Sequence, residues 1–423
     1  MPEIDLVFGL SVGVAVMIAT LIYTYLVFPV AMAIIGRRRP TRLLRPEKLP
    51  AVSLIIPAHN EEDVIAQKIK NSQSIDYPNL EIIVVSDGST DQTNEIVEAF
   101  GDDVRLLDFA NRRGKTSVVA DAVAASSGEI LCLCDANVMF RPDALWRLVA
   151  RLSSIDIGGV TGDVRLQSEQ SSFGLAEALY YRLERRIHSG ESNLGAVMGV
   201  DGGMYIIRRE LFCELPADTV LDDFSISMHV LRVGKKLLYE PTAIADENST
   251  ELAMDEYRRR VRIGVGAAQV ISRGHRPRWS QLGRMILFVS HKLLRWMSPW
   301  LLLGLLVASI ALSFCERFAF WILLPILLIG AIALAGALLP KLRRHWVVAV
   351  PFYFVLSQVA MAWGIIRGLL FDSSGVWVRT TRLPLSQELE QEWTVTSAVV
   401  GWLSRLTQRK RDCGLEITLP KPR

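Results

Sequence analysis

Cysteine and net charge are both scarce in this sequence. It has five cysteines among 423 residues and a formal net charge of +3 at pH 7. Only Cys132 and Cys134 lie close together, and their i, i+2 spacing puts both on one face of a strand without the paired ligands of a zinc site. We therefore expect buried thiols there. The small positive charge also argues against nucleic acid as a partner.

Basic residues are missing ahead of the first apolar run, which spans residues 6–35 without a charge. Glu3 and Asp5 stand there instead, and the run exceeds the roughly 7–15 residues of a signal-peptide core. The run is long enough to cross a bilayer. We therefore expect a membrane span and not a cleaved leader. Three more apolar runs follow near the C-terminus, at residues 299–312, 320–339 and 346–371.

The charges that flank these runs predict the topology. A basic cluster directly after the first run places that side in the cytoplasm and the N-terminus outside. Its members are Arg37, Arg38, Arg39, Arg42 and Arg45. Anionic lipid headgroups are the expected partner of such residues. One span before the central region and three after it leave the tail from Phe371 outside, although that tail is basic, and this conflict stays open.

The expected organisation has five parts. An N-terminal transmembrane helix (1–36) precedes a cytoplasmic globular domain (37–280), and an amphipathic interfacial helix (281–297) follows it. The interfacial helix is predicted because residues 281–300 mix an apolar stripe with Arg284, His291, Lys292 and Arg295. Transmembrane helices (298–371) and a C-terminal tail (372–423) complete the chain.

The globular region shows the pattern of an α/β domain. Short β-branched runs at 51–58, 80–87, 104–110 and 129–135 end in polar residues, and helix-like segments separate them. This alternation predicts a mostly parallel sheet with helices on both faces. In such sheets ligands bind beyond the carboxyl ends of the strands, which directs attention to the polar residues at those ends.

The segment "LCLCDANVMF" (131–140) delivers one carboxylate, Asp135, from the end of an apolar run, with Asn137 two residues later. Asp135 or Asn137 can cap a following helix. Alternatively, Asp135 supplies an oxygen to Mg²⁺ or Mn²⁺ while diphosphate oxygens and water complete the coordination. Asn137 then adds a carbonyl oxygen or a hydrogen bond to the site. Both interpretations stay open from these residues alone.

Two further segments suit a nucleotide. In "VVSDGSTDQT" (84–93), Asp87 either accepts hydrogen bonds from a nucleobase or belongs to an ordinary turn in which Ser89 or Asp91 caps a helix. In "NRRGK" (111–115), Lys115 follows a glycine at a helix start. A lysine there either meets a phosphate near the helix N-terminus or is a solvated side chain.

Two later segments suit group transfer. Asp222 and Asp223 in "TVLDDF" (219–224) stand before an apolar helix. They are either a favourable acidic first turn or include a general base that takes a proton from a hydroxyl. The "YRRRVR" segment (257–262) is either a basic stripe at the membrane or an arginine clamp for a diphosphate leaving group.

Taken in order, "PAHNEE", "DGSTD", "NRRGK", "CDAN", "DDF" and "RRRVRIG" inside flanking apolar runs resemble the membrane-integrated branch of the inverting family 2 glycosyltransferases. That branch includes cellulose, chitin, hyaluronan and poly-N-acetylglucosamine synthases and ceramide glucosyltransferase. The resemblance covers about residues 52–300 and implies a GT-A type fold.

The resemblance implies a donor site on the strand ends. Ala58 and Glu61 match positions that line the nucleoside pocket, and Asp87 matches the acid that binds a uracil-type base. Lys115 matches the lysine near the nucleotide. Asp135 matches the first acid of the DxD metal motif, which implies Mg²⁺ or Mn²⁺ as a cofactor and a nucleotide sugar as the donor.

It also implies an acceptor side. Asp223 matches the general base, with Asp222 beside it, and Gly202 and Gly203 fall where the acceptor-side glycine segment lies. Arg259 and Arg262 match the basic residues of the (Q/R)xxRW motif.

Two departures from the family pattern stand out. Asn137 replaces the second acid of the DxD motif, which predicts a metal held by fewer charges. Ile263 replaces the tryptophan of the (Q/R)xxRW motif, which puts acceptor choice and processivity in doubt.

The expected protein is an inverting transferase of the bacterial inner or plasma membrane that moves a sugar, with a UDP-sugar as the expected donor, to a growing polysaccharide. A single-sugar transferase acting on a membrane lipid is the main alternative. An inactive nucleotide-sugar sensor is a third. Partner subunits cannot be named from the sequence.

Overall fold

The structure is a computed structural model that describes residues 2–37, 43, 45, 48–167, 172–248 and 253–371. Arg38, Arg39, Arg42 and the tail 372–423, on which part of the topology prediction rests, lie outside these residues. Within the described ranges the chain forms eight strands: β1 (Val52–Ala58), β2 (Leu80–Asp87), β3 (Arg105–Phe109), β4 (Ile130–Cys134), β5 (Val138–Phe140), β6 (Ile157–Gln167), β7 (Met204–Arg208) and β8 (Lys236–Asn248).

Thirteen α-helices accompany them in the same ranges. They are α1 (Pro2–Ile22), α2 (Phe28–Ile35), α3 (Ile65–Gln73), α4 (Thr93–Glu98), α5 (Lys115–Ala125), α6 (Ala144–Arg151), α7 (Ser172–Asn193), α8 (Asp222–Arg232), α9 (Ala253–Arg273), α10 (Leu282–Phe288), α11 (Leu294–Ser313), α12 (Ala319–Leu338) and α13 (Trp346–Leu370). π-Helical turns at Tyr23–Val27 and Val289–Leu293 join α1 to α2 and α10 to α11.

The strands form one sheet in the order β3-β2-β1-β4-β7-β6-β8-β5. Among the described residues, four of its seven pairings are parallel and three are antiparallel. The parallel strands β3, β2, β1 and β4 are the four that the sequence pattern predicts. Their carboxyl ends meet at one edge, which is where the candidate site lies.

The sheet is covered on both faces, because alternate residues of a strand point to opposite sides. Ile55, Ile83 and Leu131 join one hydrophobic cluster, whereas Leu54 and Cys132 join another. Burial on both faces explains why these strands are nearly continuous apolar runs. The predicted α/β fold class is confirmed, and Cys132 and Cys134 are buried free thiols, as expected.

Four helical segments in the described ranges are long and apolar enough to cross a membrane: Val7–Ile35, Leu282–Ser313, Ala319–Leu338 and Trp346–Leu370. The last of these packs tightly along α9. A Cβ added to Gly264 of α9 would lie 2.7 Å from the carbonyl oxygen of Met361, so only glycine permits this approach. The apolar segment therefore fixes the position of the arginine-bearing helix.

Candidate active site

The donor-side residues lie at the carboxyl ends of β1 and β2. Ala58 is the buried last residue of β1. Glu61 is buried in the following turn, where its backbone N–H donates to Thr93 Oγ1 at 2.8 Å. The Thr90 N–H donates to Asn60 Oδ1 at 2.8 Å and holds the segments "PAHNEE" and "DGSTD" against each other, which brings Ala58 and Glu61 to the strand end that carries Asp87.

Asp87 holds a loop. Its carboxylate accepts the backbone N–H groups of Arg113 at 2.6 Å and Gly114 at 2.9 Å. Gly114 has φ +92°, a conformation that favours glycine, and Lys115 begins α5 directly after it. Asp87 therefore positions Lys115, a task that its place at a strand end does not reveal.

Lys115 is the centre of a charge cluster. Its Nζ lies 2.8 Å from Asp135 Oδ1 and 3.8 Å from Asp222 Oδ2. Desolvation opposes ionisation of Asp135, but the Lys115 ammonium holds the pKa of Asp135 below its usual value. Burial lowers the pKa of Lys115, yet the two carboxylates raise it above its ordinary value overall. Lys115 and Asp135 are therefore both ionised at neutral pH.

The turn after Asp135 leads into β5, and the next helix, α6, begins only at Ala144. The interpretation of Asp135 or Asn137 as a helix cap is therefore wrong. Asn137 Nδ2 donates to Glu247 Oε1 at 2.7 Å. The buried Lys68 of α3 fixes the start of β5 through a 2.5 Å hydrogen bond from Nζ to the carbonyl oxygen of Val138.

Asp222 and Asp223 are the first two residues of α8. Asp223 Oδ1 accepts its neighbour's backbone N–H, from Phe224, at 2.7 Å. A Cβ added to Gly202 would lie 2.7 Å from Asp223 Oδ2, so the glycine leaves room at that oxygen. Desolvation and the negative charge of Asp222 raise the pKa of Asp223 to about 6. That value suits a general base working near neutral pH.

Asp201 is a candidate site residue that the sequence reasoning missed. Its Oδ1 accepts the Gly203 N–H at 3.0 Å, and its own N–H donates to Thr161 Oγ1 at 3.0 Å. Desolvation, with the charges of Glu247 and Asp223, raises the pKa of Asp201 to about 7. The Gly-rich turn of "GVDGGMY", which leads into a strand, gives no sign of this, because Glu247 comes from β8.

The predicted arginine pair separates in the structure. Arg259 Nε contacts Glu256 Oε2 at 2.8 Å, and its guanidinium lies 5.6 Å from the Tyr181 ring centroid. Arg262 is exposed and close enough to Asp135 and Asp223 to lower the pKa of each carboxyl. Arg262 therefore influences the carboxylate cluster through its charge, whereas Arg259 lies in an ion pair on α9.

The oxygen ligands of this site fit a cation that is shared with a substrate. Among the described residues, no group of three or more His, Cys, Asp or Glu side chains could hold a metal ion. Asp135 keeps 35% of its side chain exposed while Oδ1 contacts Lys115. One carboxylate and a neighbouring amide match the way Mg²⁺ binds through one or two protein ligands plus phosphate oxygens.

Comparison with known proteins bears on this arrangement. Residues 53–215 match the model of the family described as glycosyl transferase family 2. A poly-beta-1,6-N-acetyl-D-glucosamine synthase of Staphylococcus epidermidis is 24% identical over 238 residues, which cover 55% of this chain and 58% of that relative. The probable glycosyltransferase YdaM of Bacillus subtilis is 28% identical over 241 residues, covering 53% and 57%. The chain thus spans under two thirds of the length of these curated relatives.

Among solved structures, the mannosyltransferase PcManGT from Pyrobaculum calidifontis, in complex with GDP-Man and Mn²⁺, superposes with a TM-score of 0.64 at 23% identity. The match covers 83% of this chain and 99% of that one. This likeness shows a shared GT-A type fold that extends beyond residues 53–215.

Proposed function

With a glycosyl transferase family 2 domain in residues 53–215 as the premise, we propose that this protein is a membrane glycosyltransferase that moves a sugar from a nucleotide sugar to a growing polysaccharide with inversion. The observation that carries the proposal is the cluster of Lys115, Asp135 and Asp222 beside Asp223, at the carboxyl ends of the strands. The cluster brings together a cation for phosphate, an oxygen for a metal and a base of suitable pKa.

The donor binds at the β1 and β2 ends in this proposal. Ala58, Glu61 and the loop held by Asp87 form the nucleoside side, and a UDP-sugar is the proposed donor. Lys115, at the start of α5, exchanges its contact with Asp135 for the diphosphate. Asp135, with Asn137 beside it, would hold a Mg²⁺ or Mn²⁺ ion that neutralises diphosphate charge. The bound Mn²⁺ and GDP-Man of the mannosyltransferase support this class of donor and metal.

Transfer is a single displacement. Asp223 takes the proton of the acceptor hydroxyl as the hydroxyl oxygen bonds to C1 from the face opposite the leaving group. The bond between C1 and the diphosphate oxygen breaks, and the diphosphate leaves with the electron pair. Lys115 and Arg262 stabilise the charge that develops on it, which is the kind of preorganised support that contributes most to such reactions. Gly202, Gly203 and Asp201 border the acceptor hydroxyl.

The location of the protein is part of the proposal. We place the domain of residues 37–280 in the cytoplasm, with the apolar helices in a bacterial inner or plasma membrane and residues 281–297 at its surface. The basic residues after α2 and the four apolar segments support this arrangement. Labelling of single cysteines in the tail 372–423 from either side of sealed vesicles tests the topology.

Product length is the direct test of the polysaccharide assignment. Incubation of the full chain in lipid with labelled nucleotide sugars is expected to give products of many added units. The synthase relative supports a polymer. An apolar groove of about 770 Å³ between Phe28, Met32 and Leu287 supports the second candidate, a membrane-lipid acceptor. One added unit on a lipid would select that candidate, and no transfer from any donor would reject both.

The pH dependence of kcat/KM is expected to follow Asp223. Since the base must be ionised and its pKa is raised to about 6, kcat/KM should fall as the pH drops below about 6 and level off above it. The measurement is kcat/KM at saturating metal between about pH 5 and about pH 8. A flat profile over that interval would contradict the assignment of the base.

A further inference from the structure

A buried histidine that is hydrogen-bonded to two glutamates links the apolar segment Leu282–Ser313 to the acceptor side of the site. His291 lies in the π-helical turn Val289–Leu293 and is fully buried. Its Nδ1 lies 2.7 Å from Glu191 Oε1, and its Nε2 lies 3.1 Å from Glu184 Oε2. π-Helical turns occur frequently at functional positions. Neither glutamate belongs to the site described above.

Glu191 differs from Glu184 in what its second oxygen does. Glu191 Oε2 accepts the backbone N–H of Met198 at 3.0 Å, whereas the bonds of Glu184 within the described residues go to His291 and Arg295. Burial raises the pKa of Glu191, but His291 brings it below the usual value overall, so Glu191 is a carboxylate. A buried carboxylate thus ties the segment 198–203, here named the acceptor loop, to the apolar segment Leu282–Ser313.

The acceptor loop is also joined to the proposed base by hydrogen bonds through Ser227. Val200 N–H donates to Ser227 Oγ at 3.1 Å, and the Ser227 hydroxyl donates to the carbonyl oxygen of Asp223 at 2.7 Å. Asp201 and Gly202 follow within the loop. The ring centroid of Phe224, next to Asp223, lies 5.6 Å from that of Trp296 in the same apolar segment. The loop and the base therefore share one set of buried contacts with that helix.

We propose that Glu191 and His291 are positioning residues that hold the acceptor loop in register with Asp223 and the apolar helix Leu282–Ser313. This inference rests on the proposed function, because it assigns the loop 198–203 to the acceptor. The pair touches no reacting atom. Its effect is on where Asp201 and Gly202 stand relative to Asp223, and hence on how the acceptor hydroxyl is presented.

The chain provides its own matched control for this proposal. Glu191→Ala removes the tether to Met198, and Glu184→Ala removes a carboxylate from the other side of the same histidine. We expect Glu191→Ala to lower kcat/KM for the acceptor by about 10- to 100-fold, as misplacement of reacting groups does. The donor KM should stay within about twofold. Glu184→Ala should leave the ratio of acceptor to donor KM unchanged.

Two further variants guard against misfolding. Glu191→Gln keeps an oxygen for the Met198 N–H and should restore most of the acceptor KM. Ser227→Ala removes little volume but removes the hydrogen bonds that join Val200 to the Asp223 carbonyl oxygen. It should therefore raise the acceptor KM, as Glu191→Ala does. The proposal would be overturned if Glu184→Ala and Glu191→Ala lowered kcat/KM for the acceptor equally. An unchanged acceptor KM in Ser227→Ala would also overturn it.

Amide hydrogen exchange separates this inference from the proposed function. In the full chain held in lipid nanodiscs, the amides of Met198 and Val200 should be protected in the wild type. Protection at Met198 should be lost in Glu191→Ala and kept in Glu184→Ala. If the wild type transfers no sugar, the proposed function fails while this exchange pattern still tests the tether. Unchanged protection in Glu191→Ala would refute the tether even in an active enzyme.

Discussion

Asp223→Asn is expected to lower kcat by about 10³-fold, because a positioned general base contributes about 10² to 10⁴ to such a step. The asparagine keeps an oxygen for the Phe224 N–H, so the start of α8 should hold its shape. Lys115 and Asp135 are untouched, and the dissociation constant of the nucleoside diphosphate should therefore stay within about twofold. Single-turnover transfer and calorimetric nucleotide binding measure the two quantities.

Asp222→Asn is the matched control for that substitution. Asp222 lies 3.8 Å from Lys115 and raises the pKa of Asp223 by its negative charge. Loss of the Asp222 charge should lower kcat at most about tenfold. It should also lower the pKa of Asp223 and so move the acidic limb of the pH profile to lower pH. If Asp222→Asn abolishes transfer and Asp223→Asn does not, the base is Asp222 and the roles of the two carboxylates are exchanged.

The strand ends could be predicted from the sequence because their signal is local. β1, β2 and β4 are short apolar runs with a polar residue at or just after their ends, and parallel strands bring such ends together. This is how Asp135 was expected at the ligand-binding edge. The family resemblance placed Lys115 near the nucleotide, and the two side chains lie 2.8 Å apart. The antiparallel insertion of β7 between β4 and β6 has no comparable local signal.

Residues that depend on distant partners could not be predicted. Asp201 is a candidate because Glu247 and Asp223 face it, and these come from β8 and α8. The charges of residues 284–295 suggested a helix at the membrane surface, but two of them, His291 and Arg295, contact Glu184 on α7, over 100 positions earlier. Pairing across such a separation leaves no periodic pattern in the sequence.

Arg259 and Arg262 illustrate the limit of motif spacing. The two residues stand three apart on α9 and so lie on neighbouring positions of one helix face. The motif implies that both arginines bind the leaving group. In the structure, Arg259 contacts Glu256 and the Tyr181 ring. Arg262 is exposed, and its positive charge favours ionisation of Asp135 and Asp223. The clamp role of both stays a prediction, and Arg262 is the stronger candidate of the two.

Asp135→Asn has the second largest expected effect. A bound cation contributes several kcal/mol of charge stabilisation to a transition state, so kcat/KM should fall about 10³-fold. The lost carboxylate also releases Lys115, which keeps Asp222 as a partner at 3.8 Å and so should remain in place. Mn²⁺ binding with UDP present, followed by electron paramagnetic resonance, gives a readout that does not depend on turnover. Metal affinity equal to that of the wild type would remove Asp135 from the metal site.

Asn137→Asp tests the departure from the DxD motif in the same assay. Asn137 now donates to Glu247 at 2.7 Å. A carboxylate in its place cannot donate that hydrogen bond and is repelled by the negative charge of Glu247. A divalent cation relieves that repulsion, and we expect Mn²⁺ to bind about tenfold more tightly, with a steeper dependence on pH than in the wild type. Combining the change with Glu247→Gln should keep the gain in affinity and remove the added pH dependence. If Mn²⁺ affinity does not change in either variant, Asn137 only donates its hydrogen bond to Glu247, and Asp135 and the diphosphate bind the metal.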